Sequence, residues 1–284
     1  MTSYLVGLIG SGIGPSLSPA LHEREADHHG LRYLYRTIDI ADLGLGADAA
    51  GDLVRTARRL GYSGLNITHP CKQTVIEHLD ELSPDAARLG AVNTVTFDGD
   101  RAIGHNTDWT GFAQSFARGL ADAPTHRIVQ LGAGGAGAAV AHALLTLGAD
   151  HVTIVDAQPA RAVSLAAELA HRFGAERALA ATTGQLAGLL PKADGLVHAT
   201  PTGMAAHPGL PLPAELLRPD LWVADVVYRP LETELLRRAR ALGCRALDGG
   251  GMVVFQAAHA FRLFTGIEPD AERMLAHLTD LVDV

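Results

Sequence analysis

The run Arg127-Ile-Val-Gln-Leu131, followed at once by Gly132-Ala133-Gly134-Gly135-Ala136-Gly137 and then by the small-residue stretch Ala138 to Leu147, constrains this chain more than any other feature. A short apolar strand, a Gly-x-Gly-x-x-Gly turn and a helix of small residues form the phosphate-binding βα unit of a dinucleotide site. The first glycine makes the tight turn, the second lets backbone approach a pyrophosphate, and the third lets helix pack on strand. The helix N-terminus adds N–H groups and a dipole that favours an anion. Ala133, Gly135 and Ala136 supply the rest of the loop backbone. The next apolar run, His151 to Val155, ends at Asp156, near the spacing of about 20 residues at which an acid meets the ribose 2′-hydroxyl. A carboxylate there repels a 2′-phosphate, so NAD is favoured. Arg161, five residues on, can neutralise a phosphate and keeps NADP as the alternative.

The 284 residues allow two domains, and 48% hydrophobic content supplies two cores. Upstream of the glycine loop, strand-like runs (Tyr4 to Ile9, Tyr33 to Ile40, Gly64 to Thr68, Ala91 to Phe97) alternate with helical ones (after Pro19, Leu53 to Leu60, Pro70 to Leu79, Pro84 to Leu89). This predicts a two-domain α/β fold: an N-terminal α/β substrate domain with a parallel or mixed sheet, and a Rossmann-type dinucleotide-binding domain with a parallel sheet. Further strands are predicted at 195–199 and 221–225, with a turn at Gly249-Gly-Gly251. The net charge of −8 argues against nucleic acid or an anionic membrane as partner. No apolar run approaches the roughly 18 residues of a membrane span. Cys71 and Cys244 form no disulfide framework, and the N-terminus has no basic leader, so a cytoplasmic protein is expected. The 14 histidines show neither His-Glu-x-x-His nor Cys-x-x-Cys spacing, so no metal is expected.

Three polar clusters precede the loop. In Ser16-Leu17-Ser18-Pro19, two hydroxyls two residues apart face one way if the chain is extended. Ser18 also suits an N-cap before Pro19. In Asn66-Ile67-Thr68-His69-Pro70-Cys71-Lys72, Pro70 is expected to open a helix with Lys72 in its first turn, where the dipole works against a cation. Such a lysine suits proton transfer, although a solvated lysine reads the same way. In Gly90-Ala-Val-Asn93-Thr94 and Asn106-Thr107-Asp108-x-x-Gly111, Asn93 and Asp108 serve equally as ligands or as turn and cap residues.

Taken in order, these segments closely resemble the shikimate dehydrogenase family, including its NAD-dependent quinate/shikimate dehydrogenase branch, over essentially the whole chain. The resemblance implies an oxidoreductase that moves hydride between a nicotinamide cofactor and the ring hydroxyl or ketone of shikimate, or of quinate, in aromatic biosynthesis. It implies Lys72 and Asp108 as the catalytic pair. It assigns Ser16, Ser18, Thr68, Asn93, Tyr228 and Gln256 to the small cyclic hydroxy acid. Thr200, Val226, Gly249 and Met252 join the glycine loop on the cofactor side. It divides the chain into a substrate domain (1–108), a Rossmann domain (109–245) and C-terminal helices (246–284) returning to the first, in a monomer or homodimer. Three positions depart from the common pattern: Asp156-Ala-Gln158 as in the NAD branch, Ser18 as in biosynthetic members, and His198 where many members carry Asn. An aminoshikimate or aminoquinate dehydrogenase and a non-catalytic metabolite-binding homologue are the alternative readings.

Overall fold

The alternating apolar runs of the first hundred residues build a mixed sheet in the computed structural model, which describes residues 3–282. Strand β1 (Ser3–Gly10) lies between β2 (Arg32–Asp39) and β3 (Gly64–Ile67), all parallel. The chain then reverses: β5 (Thr94–Asp98) runs antiparallel to β3, and β6 (Arg101–His105) returns along β5 through a hairpin at Gly99, whose φ is +57°. The two-residue β4 (Glu81–Leu82) pairs with β6, giving the order β2-β1-β3-β5-β6-β4. Helices α1 (Ser18–His28), α2 (Ala50–Arg59), the one-turn α3 (Cys71–Thr74) and α4 (Pro84–Leu89) make the connections. Ala50, Val54 and Ala57 recur at helical spacing and bury α2 against Ile9, Leu65 and Ile67.

The other face of this sheet receives the C-terminus. In α10 (Gly250–Thr265), Ala260 and Phe264 pack with Val6, Leu8 and Tyr35. Gly64 makes room for this: a Cβ there would lie 2.3 Å from Phe264 Cδ1. Arg273 of α11 (Ala271–Val282) donates to buried Glu25 of α1 at 2.9 and 2.5 Å, tying the last helix to the first.

The second unit begins at Trp109, one residue into α5 (Asp108–Gly119), and holds six parallel strands: β7 (Arg127–Leu131), β8 (His151–Val155), β9 (Ala178–Ala181), β10 (Gly195–His198), β11 (Trp222–Asp225) and β12 (Ala246–Leu247). Their order, β12-β11-β10-β7-β8-β9, is that of a doubly wound dinucleotide fold. Helices α6 (Gly135–Thr146), α7 (Pro159–Phe173), α8 (Leu186–Leu189) and α9 (Glu234–Ala241) link them. Alternate strand residues feed two buried clusters: Ile128, Val152, Ile154 and Val197 with Phe112, Phe116 and Leu144, and Val129, Leu131, Val155 and Leu196 with Leu186, Leu235 and Leu236. Burial on both faces is what an all-parallel sheet requires.

The chain divides after Asp108 and rejoins the first unit at Val254. The return was expected at 246. Residues 246–253 stay with the second unit because β12 pairs with β11 and Met252 enters its core. Gly249-Gly-Gly251 leads straight into α10 instead of forming a separate turn. The helix expected over Pro70 to Leu79 breaks after Thr74, within the β-branched run Thr74-Val75-Ile76. Ser18 is the first residue of α1 rather than its cap; Leu17 precedes it in αR conformation, so the extended arrangement expected of Ser16 to Ser18 does not form.

Candidate functional site

In the first unit, the polar segments converge at one end of the mixed sheet. β1 and β3 are parallel, so the loops after them leave at the same end, as ligand-binding loops of α/β sheets do. Backbone bonds join these loops: Ser11 N–H donates to His69 C=O at 3.0 Å and Thr68 N–H to Ile9 C=O at 2.8 Å. The antiparallel turn of β5 and β6 brings Asn93 and Asn106 to that same end, since Thr94 pairs with both Asn66 and His105. Val92 N–H donates to Lys72 C=O at 2.9 Å.

At the centre, Lys72 Nζ donates to Asp108 Oδ2 at 2.5 Å, with side-chain exposures of 20% and 10%. The other oxygen, Oδ1, accepts from Asn93 Nδ2 at 2.9 Å. Asn93 also donates to Thr107 Oγ1 at 2.9 Å, and its Oδ1 accepts from Thr107 N–H at 2.7 Å and the Thr94 hydroxyl at 3.1 Å. Its amide is thereby saturated within the protein. The Thr107 hydroxyl donates to Gln256 C=O at 3.0 Å, which brings α10 to this network. Asn106 Oδ1 accepts from Asp108 N–H at 3.1 Å. Lys72 sits on a helix of a single turn, too short for much of a dipole, so the Asp108 carboxylate is the charge that governs the ammonium.

Ser16 and Ser18 are brought together: the Ser16 hydroxyl accepts from Ser18 N–H at 3.3 Å. Their loop is pinned by Asp39, whose carboxylate accepts from Gly12 and Ile13 N–H at 3.1 and 2.8 Å. Desolvation opposes ionisation of Asp39, and these backbone donors outweigh it, holding the carboxyl below its ordinary range. Asp39, Asn66, Asn106 and Thr107 were not singled out from the sequence as site residues. Asn66, Asn106 and Thr107 lie inside the motifs named above, while Asp39 gave no signal beyond its strand-end position. Asn66 links the network to Tyr35, whose hydroxyl donates to Asn66 Oδ1 at 2.7 Å.

The glycine loop lies in the second unit, between β7 and α6. Gly132 has φ +105°, and a Cβ there would lie 2.4 Å from Ala199 C=O. A Cβ at Gly137 would lie 2.2 Å from Gly132 C=O, whereas Gly134 has open space within 4 Å. The first and third glycines are therefore packing requirements, and the second faces out at the N-cap of α6, just before Gly135 and Ala136. Buried Gln130 braces the loop from below, donating to Gly132 and Gly137 C=O at 2.9 Å each. Asp156 accepts from Ala133 N–H at 2.8 Å and Gln158 N–H at 2.7 Å, which fixes its carboxylate beside the loop. Arg161 is exposed in the first turn of α7.

Thr200 follows β10, and its Cγ2 packs toward Gly132. Val226 follows β11 and touches Gly249, where a Cβ would lie 2.4 Å from Val226 C=O. Tyr228 is half-buried in the same loop, and burial pushes its hydroxyl pKa up against an opposing pull from Arg229. Met252 belongs to the buried core cluster with Phe112 and Trp222. A turn, a helix N-cap and a fixed strand-end carboxylate together fit a dinucleotide.

Comparison with known proteins agrees with this arrangement. The profile described as shikimate dehydrogenase substrate binding domain matches residues 8–95, and that of the shikimate 5′-dehydrogenase C-terminal domain matches residues 249–279. The chain is 73% identical over 279 residues to a shikimate dehydrogenase (NADP(+)) of Streptomyces avermitilis, covering 98% of this chain and 96% of that one. It is 49% identical over 280 residues to a quinate/shikimate dehydrogenase (NAD(+)) of Corynebacterium efficiens, covering 98% and 99%. Among solved structures, quinate dehydrogenase from Corynebacterium glutamicum in complex with NAD superposes with a TM-score of 0.92 at 45% identity, covering 98% of this chain and 99% of that one. With such likeness across nearly its full length, this chain belongs to the shikimate dehydrogenase family.

Proposed function

We propose that this protein is a nicotinamide-dependent shikimate dehydrogenase that interconverts the ring hydroxyl of shikimate and the ketone of 3-dehydroshikimate, with quinate as a secondary substrate. The observation that carries the reading is the Lys72–Asp108 pair at 2.5 Å, held from the far oxygen by Asn93. A cofactor that accepts or returns hydride supplies the redox chemistry; the chain's own residues handle the proton. In oxidation, Lys72 Nζ, as the free amine, takes the hydroxyl proton while the carbon gives up its hydride and the C=O forms. In reduction its ammonium returns that proton to the carbonyl oxygen. Asp108 keeps Nζ and the reacting oxygen in register. Asn93 serves by orienting Asp108, because its own amide is already fully bonded. Ser16 and Ser18 hold the substrate carboxylate; Thr68, Tyr228 and Gln256 orient the ring.

The glycine loop with Thr200, Val226 and Gly249 takes the dinucleotide, and Asp156 favours NAD because a 2′-phosphate would meet its fixed carboxylate. The NADP(+) in the Streptomyces relative's name points the other way. Measuring kcat/KM for shikimate and quinate with each cofactor tests both parts. Turnover of shikimate above quinate with NAD above NADP is expected. A clear NADP preference refutes the reading of Asp156, and absence of turnover with either acid refutes the activity.

A further inference from the structure

At the carboxyl ends of β10 and β11, a buried acid–imidazole pair with no role so far, Asp225 and His198, ends on the hydroxyl of Thr200, already placed on the cofactor side. His198 is fully buried and Asp225 is 2% exposed. Asp225 Oδ1 accepts from Val227 N–H at 3.0 Å and its Oδ2 from the Thr233 hydroxyl at 2.7 Å. His198 Nδ1 stands 2.9 Å from Asp225 Oδ1. A carboxylate only accepts, so the tautomer that satisfies these groups carries its hydrogen on Nδ1 and leaves Nε2 an acceptor. Nε2 is 2.5 Å from Thr200 Oγ1. The Thr200 hydroxyl then donates inward to His198, and its oxygen offers only lone pairs to the loop surface, one of them toward Thr202 N–H at 3.3 Å.

The strand order says what lies above Thr200. The loop after β7 takes the pyrophosphate, and Asp156, after β8, marks the adenosine side. The other nucleoside must then lie across the switch point, over β10, whose following residues touch Gly132. A nicotinamide there carries a carboxamide N–H₂ in need of an acceptor.

We propose that His198, aligned by Asp225, is a positioning residue that fixes the Thr200 hydroxyl as a hydrogen-bond acceptor for the nicotinamide carboxamide. This rests on the dinucleotide reading above.

The test compares two ligands on the full-length protein: NADH, and ADP-ribose, which lacks only the nicotinamide (or their 2′-phosphorylated forms, should NADP be the better cofactor). Thr200→Val and His198→Phe should each weaken NADH by about five- to tenfold, one hydrogen bond's worth, and leave ADP-ribose within about twofold. The double variant should lose no more than either single one, because both remove the same bond. Thr200→Val leaves the buried pair intact, so it decides the matter even if His198→Phe fails to fold. Equal weakening of both ligands, or unchanged NADH affinity in Thr200→Val, overturns the proposal. Failure of the unmodified protein to bind ADP-ribose overturns the dinucleotide reading itself, and the proposal with it.

Discussion

Lys72 and Asp108 form a largely buried ion pair, in which the cost of desolvating both charges offsets most of their attraction; the proposed proton transfer gives the pair a use that stability does not. Lys72→Ala is expected to lower kcat by about 10²- to 10⁴-fold, the range of a lost general acid–base, with KM changed only a few-fold. Steady-state kinetics on shikimate checks this, and a kcat within a few-fold of the parent would remove Lys72 from proton transfer. Asn93 is a different case, being buried and saturated with hydrogen bonds. Asn93→Ala leaves Thr107 and Asp108 short of partners and should cost about 1–3 kcal/mol in denaturant unfolding as well as activity. Activity loss with unchanged stability would point instead to direct substrate contact.

At the scale of an element, the glycine loop separates packing from ligand approach. Gly137→Ala places a Cβ 2.2 Å from Gly132 C=O, so α6 must shift from β7, and both melting temperature and cofactor affinity should fall. Gly134→Ala meets no atom within 4 Å, so its melting temperature should hold while NADH titration shows weaker binding. Equal melting losses in the two variants would contradict this division. Helix α9 offers a second case. Thr233 caps it, accepting from Leu236 N–H at 3.3 Å while donating to Asp225. Thr233→Ala removes a cap and a buried bond together and should destabilise by about 1–3 kcal/mol in chemical denaturation.

For the whole molecule, acid should act on the two units unequally. Burial drives His22 down to about 3. His105, His259 and His277 are also lowered, chiefly by burial, and all four belong to the first unit. The unfolded chain binds protons near pH 6.5 and these folded sites resist them. Their stabilisation is therefore complete above that pH and is lost as pH falls, for His22 at about 1.4 kcal/mol per pH unit down to about 3. Glu25 adds to this at lower pH: burial raises its pKa, but bonds from Arg273, Asp270 N–H and His29 outweigh it, so its contribution persists above the ordinary carboxylate range and disappears below it. Hydrogen exchange between pH 6 and 4 should rise in peptides from residues 3–108 and 254–282 before those from 109–253. His22→Gln should flatten the pH slope. Earlier opening of 109–253, or an unchanged slope, would refute this.

The glycine loop, its flanking strand and helix, Asp156 and the four polar motifs were legible along the chain because each depends on near neighbours: a positive φ, an apolar period, a turn residue. The α/β class followed from the same local signals, whereas the division of the chain at Asp108 came only with the family resemblance. Residue patterns along the chain do not show which distant groups meet; the pairing of Lys72 with Asp108 was implied only by the family resemblance, and the fold supplies its cause. Lys72 finds Asp108 only because β5 and β6 fold back along β3, and Asn66 finds Tyr35 only through the pairing of β1 with β2 and β3. The return to the first unit waits until Val254 because the pairing of β12 with β11 holds the preceding residues. His198 stood out in the sequence merely as a departure from a pattern; the parallel register of β10 and β11, which sets it opposite Asp225, gives it a partner. Hydrogen bonds reach about 3 Å, and strand register, a property of the folded sheet, decides which side chains come that close.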